Sequence, residues 1–406
     1  MPPVVEEGAL RPSRNHLQLD GTHALRVVAT DSGHRAEPVT ASGDDWVRST
    51  PGDGAGLAVL QRLRSRMAVE DGFRVTMHAW VAPDDESERA MGVDQLNESW
   101  VVGRRLVVKW VTGDLDGPHP AADRLRRLAD AGFEQTPTLV GLLEWQQADG
   151  DWAPVAFMQE YLAGAEDGWT WVVAEARREL GLEDGEPRPF GRDLGRLTAR
   201  MHLALAGGTL EAVSSEQAVA AYDDAVAALD EATRVTAELD PASHTLLVQN
   251  RDDLLWDLSS IHGISAIPAW PVHGDFHVGQ VLRTPDGRLH VIDFDGNPTR
   301  PPALRGGAAP RERDLATMGQ SLENVGCVVR HYAPDVDAAA VDAWVRHVSS
   351  DFLGGYLEYV DNPGLDELWR AFDVEQICRE FVYAARHLPR WAYVPAAVLA
   401  DRFQAV

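Results

Sequence analysis

Apolar residues change their spacing partway along the chain. In the first 165 residues they alternate with polar ones or form short blocks, as in residues 23–29 (H-A-L-R-V-V-A) and 73–80 (F-R-V-T-M-H-A-W), which is typical of β-strands. From Trp169 onward they recur every three or four residues, most clearly over residues 190–205, which indicates helices. The pattern predicts an α+β chain with a β-rich first part and a helical second part.

Loop-forming residues divide this pattern into regions. Gly, Ser, Asp and Pro separate the early strands, residues 55–67 are predicted to form a short helix with a strand as the alternative, and a charged segment over 82–89 ends the first region. Two later segments, 217–239 and 243–264, are each predicted to form one long helix. The predicted domains are a β-rich cap over residues 1–90, an N-lobe over 91–165 and a helical C-lobe over 166–406.

The stretch from residue 272 to 302 carries the clearest chemistry. It contains H-G-D-F-H-V-G-Q, the turn sequence T-P-D-G-R, and then H-V-I-D-F-D-G-N-P. A hairpin of this length can bring Asp275, Gln280 and Asp293 to one point. Transfer of a phosphoryl group requires such a set, because a carboxylate takes up a hydroxyl proton and oxygen ligands hold Mg²⁺ on the phosphates. The alternative is a Gly- and Asp-rich surface hairpin without chemistry.

These two motifs resemble those of the aminoglycoside-phosphotransferase-like, eukaryotic-kinase-like small-molecule kinases. Within that family the chain is most similar to the maltokinases and their glucosamine-kinase relatives. The resemblance implies a bilobal kinase-like fold, the cofactors ATP and Mg²⁺, and a catalytic role for Asp275 together with His273. It further implies that Gln280 and Asp293 bind the metal ion, with Asp295 as a further metal or acceptor contact.

The second region resembles the N-lobe of such a kinase. Gly103 and Arg104 make a predicted hairpin, and the following strand carries Lys109, the single lysine among 37 basic residues. This uniqueness favours a phosphate-binding role over a strand lysine at the surface, because arginine replaces a compact ammonium poorly. Asp123 is either its partner or a helix-dipole residue. The other predicted nucleotide contacts are a phosphate loop that includes Gln95, Asn97, Glu98 and Ser99, and an adenine-binding hinge at Gln159, Glu160 and Tyr161.

The composition restricts the partners and the compartment. A net charge of −26 argues against a nucleic-acid partner, since phosphate backbones repel such a surface. The two cysteines have no zinc spacing, no apolar run is long enough to span a membrane, and the N-terminus lacks a signal-peptide pattern. We therefore expect a cytoplasmic enzyme, monomeric or weakly homodimeric, that acts on a small molecule.

A predicted helix near the end of the chain supplies the candidate acceptor site. Glu375, Arg379, Tyr383 and Arg386 fall on one stripe of it, and Trp391 follows. Aromatic and charged groups together suit a sugar pocket, although a solvent-facing Glu–Arg stripe is the alternative. The resemblance adds Asp314 as a residue that shapes this pocket.

The acidic charge and one departure from the family pattern favour an amino sugar. The sequence I-D-F-D-G-N-P differs from the I-D-F-E-G-E-P of maltokinases, and a carboxylate, first of all Glu375, would bind an ammonium group strongly. We therefore expect phosphorylation of glucosamine. The alternatives are a maltokinase, an aminoglycoside phosphotransferase and an inactive nucleotide-binding pseudokinase.

Overall fold

A computed structural model describes most of the chain. It covers residues 15–31, 33–65, 69–70, 72–91, 97–117, 119–208, 210–265, 267–361 and 366–404. The described residues form two compact units. The first unit comprises those within Met1–Ala122 and Pro137–Ala163, and the second comprises those within Asp123–Thr136 and Gly164–Val406.

The first unit contains two antiparallel sheets and one helix of its own. One sheet has the order β1-β2-β3-β4, and the other has the order β5-β6-β10-β11-β9-β8-β7. The elements are β1 His16–Gln18, β2 His23–Thr30, β3 Gly33–Ser42, β4 Asp45–Arg48, α1 Ala55–Arg64, β5 Val69–Glu70, β6 Phe73–Met77, β7 Glu88–Ala90, β8 Asn97–Val102, β9 Leu106–Val111, β10 Leu139–Gln146 and β11 Trp152–Glu160.

The large sheet crosses the predicted boundary between cap and N-lobe. β6 lies in the predicted cap, yet it pairs with β10, where Met77 is opposite Gly141. The predicted hairpin at Gly103 is present, with Val102 opposite Leu106 and a φ of 58° at the glycine. Trp100 and Trp110 are buried in this unit and meet edge to face with their ring centroids 5.6 Å apart. Strands predicted on both sides of that boundary therefore belong to one sheet, with two packed tryptophans in its core.

The second unit is helical apart from one hairpin. Helix α2, Pro120–Asp130, enters it at Asp123. The remaining elements are α3 Gly168–Glu179, α4 Gly191–Ala206, α5 Ser215–Leu239, α6 Pro241–Gln249, α7 Arg251–Ser259, β12 Val281–Arg283, β13 Leu289–Val291, α8 Pro302–Arg305, α9 Glu312–Tyr332, α10 Ala338–Tyr356, α11 Asp366–His387 and α12 Tyr393–Gln404, with 3₁₀ turns at Ser260–Ile264, Val278–Gln280 and Pro389–Trp391.

The core of the second unit surrounds α11. Ile377, Phe381 and other apolar residues of α11 pack with buried residues of α5, α7, α9 and α12. α5 begins with a capping box, in which Ser214 and Gln217 satisfy each other's backbone N–H groups. The single helix predicted over 243–264 is wrong, because the chain divides there into α6, α7 and a 3₁₀ turn, with a break at Asn250.

Candidate active site

The stretch from residue 272 to 302 folds as a loop, a hairpin and a second loop. β12 and β13 pair antiparallel, and Gly287 turns the chain between them with a φ of 85°. Beyond the paired strands, Ile292 donates a backbone hydrogen bond of 2.9 Å to the carbonyl of Gln280. The hairpin thereby holds the end of the first loop beside the start of the second, as the sequence predicts.

Asp314, in the first turn of α9, supports the first loop of this stretch, which contains His273, Gly274 and Asp275. Its carboxylate accepts hydrogen bonds from the backbone N–H groups of His273 (2.7 Å) and Gly274 (2.9 Å), and it also bonds His202 at 2.9 Å. Burial alone would raise the pKa of Asp314, but these bonds and the neighbouring histidines hold it below its usual value. Asp314 is fully buried, and its predicted role in shaping the acceptor pocket stays a prediction.

His273 positions the two loops. Its Nε2 bonds the carbonyl of Ile292 at 2.9 Å, and its Nδ1 accepts the backbone N–H of Asp275 at 3.3 Å. Burial lowers the pKa of His273 to about 4, so the ring is neutral at physiological pH. Both ring nitrogens are engaged in hydrogen bonds. His273 is therefore placed to support Asp275, and it has no free ring nitrogen to donate a proton to a substrate.

Asp275 has the environment expected of a general base. Its side chain remains 15% exposed, Asn297 donates a hydrogen bond of 2.9 Å to Oδ1, and His277 Nε2 lies 3.9 Å from Oδ2. Burial raises the pKa of Asp275, His277 opposes the shift, and the charge of Asp293 adds to it. A carboxylate whose pKa is raised accepts a proton more readily near neutral pH. Neither Asn297 nor His277 was predicted from the sequence as a site residue.

Asp293 has a strained backbone conformation, and its charge acts on Asp275. Among the described residues it is the non-glycine residue with a positive φ, 64°, a region that aspartate tolerates better than most residues. No group of three or more His, Cys, Asp or Glu side chains in the described ranges is arranged to hold a metal ion. The predicted donors nevertheless fit Mg²⁺, which commonly uses one or two protein oxygens together with water and substrate phosphates. Those donors are Asp293 and the amide of Gln280, and Asp295 lies near Arg124 and Arg305.

Glu375 lies in a buried cluster of arginines. Its oxygens accept hydrogen bonds from Arg313 at 2.8 and 2.9 Å and from Arg379 at 2.8 Å. Burial alone would raise the pKa of Glu375, but the charges of these arginines hold it well below its usual range. Arg379 also bonds Asp224 of α5, and Glu375 is only 1% exposed. The predicted contact of Glu375 or Arg379 with substrate is therefore not supported.

The other predicted acceptor residues take separate positions. Arg386 is exposed and pairs with Glu231 on α5, as the solvent-face alternative expects. Tyr383 lies near His387, with ring centroids 5.1 Å apart. Trp391 meets Trp169 edge to face at 5.0 Å. Trp169 is next to the first loop, since a Cβ built on Gly279 would lie 2.9 Å from its Nε1. Of these three predicted residues, Trp391 is the one that the structure connects, through Trp169, to the catalytic hairpin.

Glu380 is a residue that the sequence analysis missed. It lies on α11 and accepts hydrogen bonds from Asn324, at 2.9 and 3.1 Å, and from Gln376, at 3.4 Å. Burial raises the pKa of this half-buried carboxyl to about 7, and the charge of Asp275 contributes to the shift. Glu380 therefore belongs to the surroundings of Asp275. The sequence feature that points to it is the i,i+4 pair of Gln376 and Glu380, which lies on α11 next to the predicted stripe that begins with Glu375 and Arg379.

In the first unit, Lys109 lies within the large sheet. It is in β9, opposite Ser99 of β8 and Phe157 of β11. Asn97 and Ser99 belong to strand β8, so the prediction that they form a loop is wrong, and Gln95 lies outside the described residues. Ser99 is mostly buried, and it is paired with Lys109 across the two strands.

The predicted hinge and the predicted lysine partner have other contacts. The N–H groups of Glu160 and Tyr161 donate to the carbonyls of Thr138 and Arg105 at 2.9 and 2.7 Å. These two amides are therefore engaged in backbone hydrogen bonds, and the carbonyl of Tyr161 accepts the N–H of Ala163 at 3.0 Å, so the adenine-binding hinge stays a prediction. Gln159 pairs with Val107. Asp123 bonds Arg127 one turn further along α2 at 2.7 Å, the geometry of an i,i+4 surface pair.

Replacing Lys109 with Arg tests the phosphate-binding role. We expect the KM for ATP to rise at least about tenfold despite the retained charge, because a planar guanidinium does not fit a site built for an ammonium. Steady-state kinetics with varied ATP measure this change. Arg104→Lys, at the turn of the same hairpin, is the control and should leave the KM unchanged. A fully active Lys109→Arg enzyme would contradict the assignment.

Fold and site together define a phosphotransferase of the kinase-like type. One unit has an antiparallel sheet that carries Lys109, and the other has Asp275, its hydrogen-bond donor Asn297 and the strand-end Asp293. The chain belongs to the phosphotransferase enzyme family (APH), whose model matches residues 88–304. The predicted family, α+β fold class and enzyme class are thus confirmed. Within the described ranges, none of the helices has the length and apolar character needed to cross a membrane.

Individual similar proteins have a more narrowly defined activity than the family as a whole. The chain is 36% identical to a glucosamine kinase of Mycolicibacterium smegmatis, over 94% of this chain and 96% of that protein. It is 38% identical to a glucosamine kinase of Streptacidiphilus jiangxiensis, over 95% and 90%. A solved glucosamine kinase in complex with glucosamine, ADP and inorganic phosphate is 34% identical, with a TM-score of 0.81 and coverage of 99% and 96%.

Proposed function

We propose that this chain transfers the γ-phosphoryl group of ATP to a hydroxyl of glucosamine. The observation that carries the proposal is a partly exposed base at Asp275 together with a second acid, Glu380, whose pKa the charge of Asp275 helps to raise. A kinase for neutral sugars needs only the first. The full-length similarity to glucosamine kinases, one of them solved with glucosamine and ADP, supports the same substrate and the same nucleotide.

The proton transfer in this proposal belongs to Asp275. Its Oδ1 is held by Asn297, so the carboxylate keeps one orientation while it accepts the proton of the sugar hydroxyl. The hydroxyl oxygen then forms a bond to the γ-phosphorus as the bond to the β–γ bridging oxygen breaks, and ADP leaves. Asp314 and His273 fix the backbone from His273 to Asp275. The transfer thus depends on positioning and charge, as phosphoryl transfer generally does.

Two further groups neutralise charge in this scheme. Lys109 is the candidate for the ATP phosphates, and Asp293 with Gln280 would hold Mg²⁺. When bound, Mg²⁺ supplies neutralisation of the negative charge on the phosphates. Asp293 has a positive φ just after β13, and its charge raises the pKa of Asp275.

The substrate preference in this proposal rests on Glu380. A carboxyl with a pKa of about 7 carries partial charge at neutral pH, and an ammonium group beside it favours the ionised form. The resulting charge-assisted hydrogen bond is stronger than a bond to a neutral hydroxyl. Asn324 and Gln376 hold the carboxylate, and Trp391 with Trp169 offers apolar faces for a sugar ring.

Replacing Glu380 with Gln tests this assignment. We expect kcat/KM for glucosamine to fall about 10- to 150-fold, the equivalent of about 1.5–3 kcal/mol for a hydrogen bond to a charged group. For glucose it should change less than about threefold, since no charge is lost at a neutral hydroxyl. Glu231→Gln is the control, because it removes a carboxylate that pairs with Arg386 at the surface. Equal losses for both sugars would contradict the role of Glu380 while leaving the kinase assignment intact.

The same carboxyl predicts a pH dependence. The pKa of Glu380, about 7, is above its ordinary value, so the protonated form dominates at lower pH and the ionised form at higher pH. The ratio of kcat/KM for glucosamine to that for glucose should therefore rise as the pH increases through about 7. In Glu380→Gln this rise should disappear.

A further inference from the structure

Helix α2 sends one arginine into the core of the second unit. Arg124 is only 3% exposed, whereas its helix neighbours Asp123 and Arg127 are at the surface and pair with each other. Arginine is almost never buried unless its guanidinium has partners. Here Nη1 donates to the carbonyl of Phe294 at 2.7 Å, and Nη2 donates to the carbonyl of Arg305 at 3.0 Å. The guanidinium therefore binds the backbone of the loop that follows Asp293.

Two glycines with positive φ let the guanidinium lie between the two loops of the site. A Cβ built on Gly274 would lie 3.4 Å from Nη2, and one built on Gly296 would lie 3.5 Å from Nη1. Gly274 directly precedes Asp275, and Gly296 directly follows Asp295. Arg124 thus contacts the loop of the base and the loop of the proposed metal ligand at the same time.

The charge of Arg124 matches this position. The carboxylates that affect it most are Asp314, which supports the first loop, and Asp295, in the second. Burial lowers the pKa of Arg124 to about 10, so the group remains charged at physiological pH. A cation at this point offsets the repulsion among acidic side chains that the hairpin brings together.

We propose that Arg124 is a positioning residue that holds the loop from Asp293 to Gly296 in its metal-binding conformation and fixes it to the catalytic loop. It binds two backbone carbonyls and acts on the metal ion only through Asp293, so the inference rests on the proposed function of that residue. Lysine cannot replace it, because an ammonium group does not span two carbonyls as a planar guanidinium does. A role limited to anchoring α2 is the competing explanation.

Magnesium-dependent thermal stabilisation distinguishes the two explanations without measuring activity. The thermal unfolding temperature is measured with ADP alone and with ADP plus Mg²⁺ for three proteins: wild type, Arg124→Lys and the surface control Arg127→Lys. We expect ADP alone to stabilise all three alike, while Arg124→Lys loses at least about half of the increment that Mg²⁺ adds, since linkage makes this increment report metal affinity. A lower Tm with the full Mg²⁺ increment would overturn the inference in favour of simple anchoring.

Kinetics and chemical rescue provide the second test. In Arg124→Lys, kcat should fall at least about tenfold and the Mg²⁺ concentration for half-maximal rate should rise, while KM for glucosamine changes little. In Arg124→Ala, about 20 mM guanidinium chloride, far below the molar concentrations that unfold proteins, should restore activity severalfold. No rescue together with an unchanged Mg²⁺ requirement would overturn the inference. If wild type itself transferred no phosphate with Mg²⁺ and ATP, the proposed function would fail instead.

Discussion

Asp275→Asn is expected to lower kcat at least about 10²-fold with little change in nucleotide affinity. The substitution keeps the shape of the side chain and an oxygen for the hydrogen bond from Asn297, but it removes the group that accepts the hydroxyl proton. Single-turnover kinetics measure the loss, and ADP titration measures the affinity. Asp286→Asn, in the turn of the same hairpin, is a matched control and should retain full activity.

Stability supplies an independent check on the same variant. The folded-state pKa of Asp275 lies above its ordinary value, so ionisation of this carboxyl opposes folding once the pH exceeds the ordinary value. Asparagine has no such cost, and Asp275→Asn should unfold at the same temperature as wild type or higher at neutral pH. The wild-type rate should likewise decrease as the pH falls through the raised pKa. A variant defective only in ATP binding would remove Asp275 from the role of base.

Asp293→Ala is expected to reduce turnover by about 10³-fold or more, because several kcal/mol of charge stabilisation depend on the metal ligand. The fold should survive, although alanine tolerates a φ of 64° less well than aspartate and a loss of about 1 kcal/mol of stability is expected. Thermal unfolding and activity at saturating Mg²⁺ measure the two effects.

Asp293→Asn separates the backbone from the charge. Asparagine accepts a left-handed conformation readily, so this variant should keep wild-type stability while losing most of the activity. Asp295→Asn should have a smaller effect, since that carboxylate lies near Arg124 and Arg305. Near-normal activity of Asp293→Ala at saturating Mg²⁺ would show that the metal assignment is wrong.

The catalytic hairpin could be predicted because its contacts are local. Only 17 positions separate Asp275 from Asp293 along the chain, and the turn residues between them specify the pairing of β12 with β13. The hairpin that carries Lys109 was predictable for the same reason. Asn297 and Arg124 were not, since their contacts depend on how a loop and a distant helix pack onto the hairpin.

The acceptor helix shows why periodicity alone was insufficient. Periodicity predicts one apolar side and one functional stripe for α11, but the helix is surrounded by α5, α7, α9 and α12. A helix enclosed on several sides can bury two polar stripes, one as a structural ion cluster and one beside the base. Glu375 belongs to the first stripe and Glu380 to the second, and only tertiary packing decides between them.

The central claim is that glucosamine is the substrate. Coupled-assay kinetics on four sugars test this claim most directly. ADP release is followed with glucosamine, glucose, N-acetylglucosamine and maltose, each with saturating Mg²⁺ and ATP. The account predicts that kcat/KM for glucosamine exceeds that for each other sugar by at least about tenfold, with N-acetylglucosamine especially poor because acetylation removes the charge and adds bulk. Equal use of glucose and glucosamine, or a preference for maltose, would contradict it.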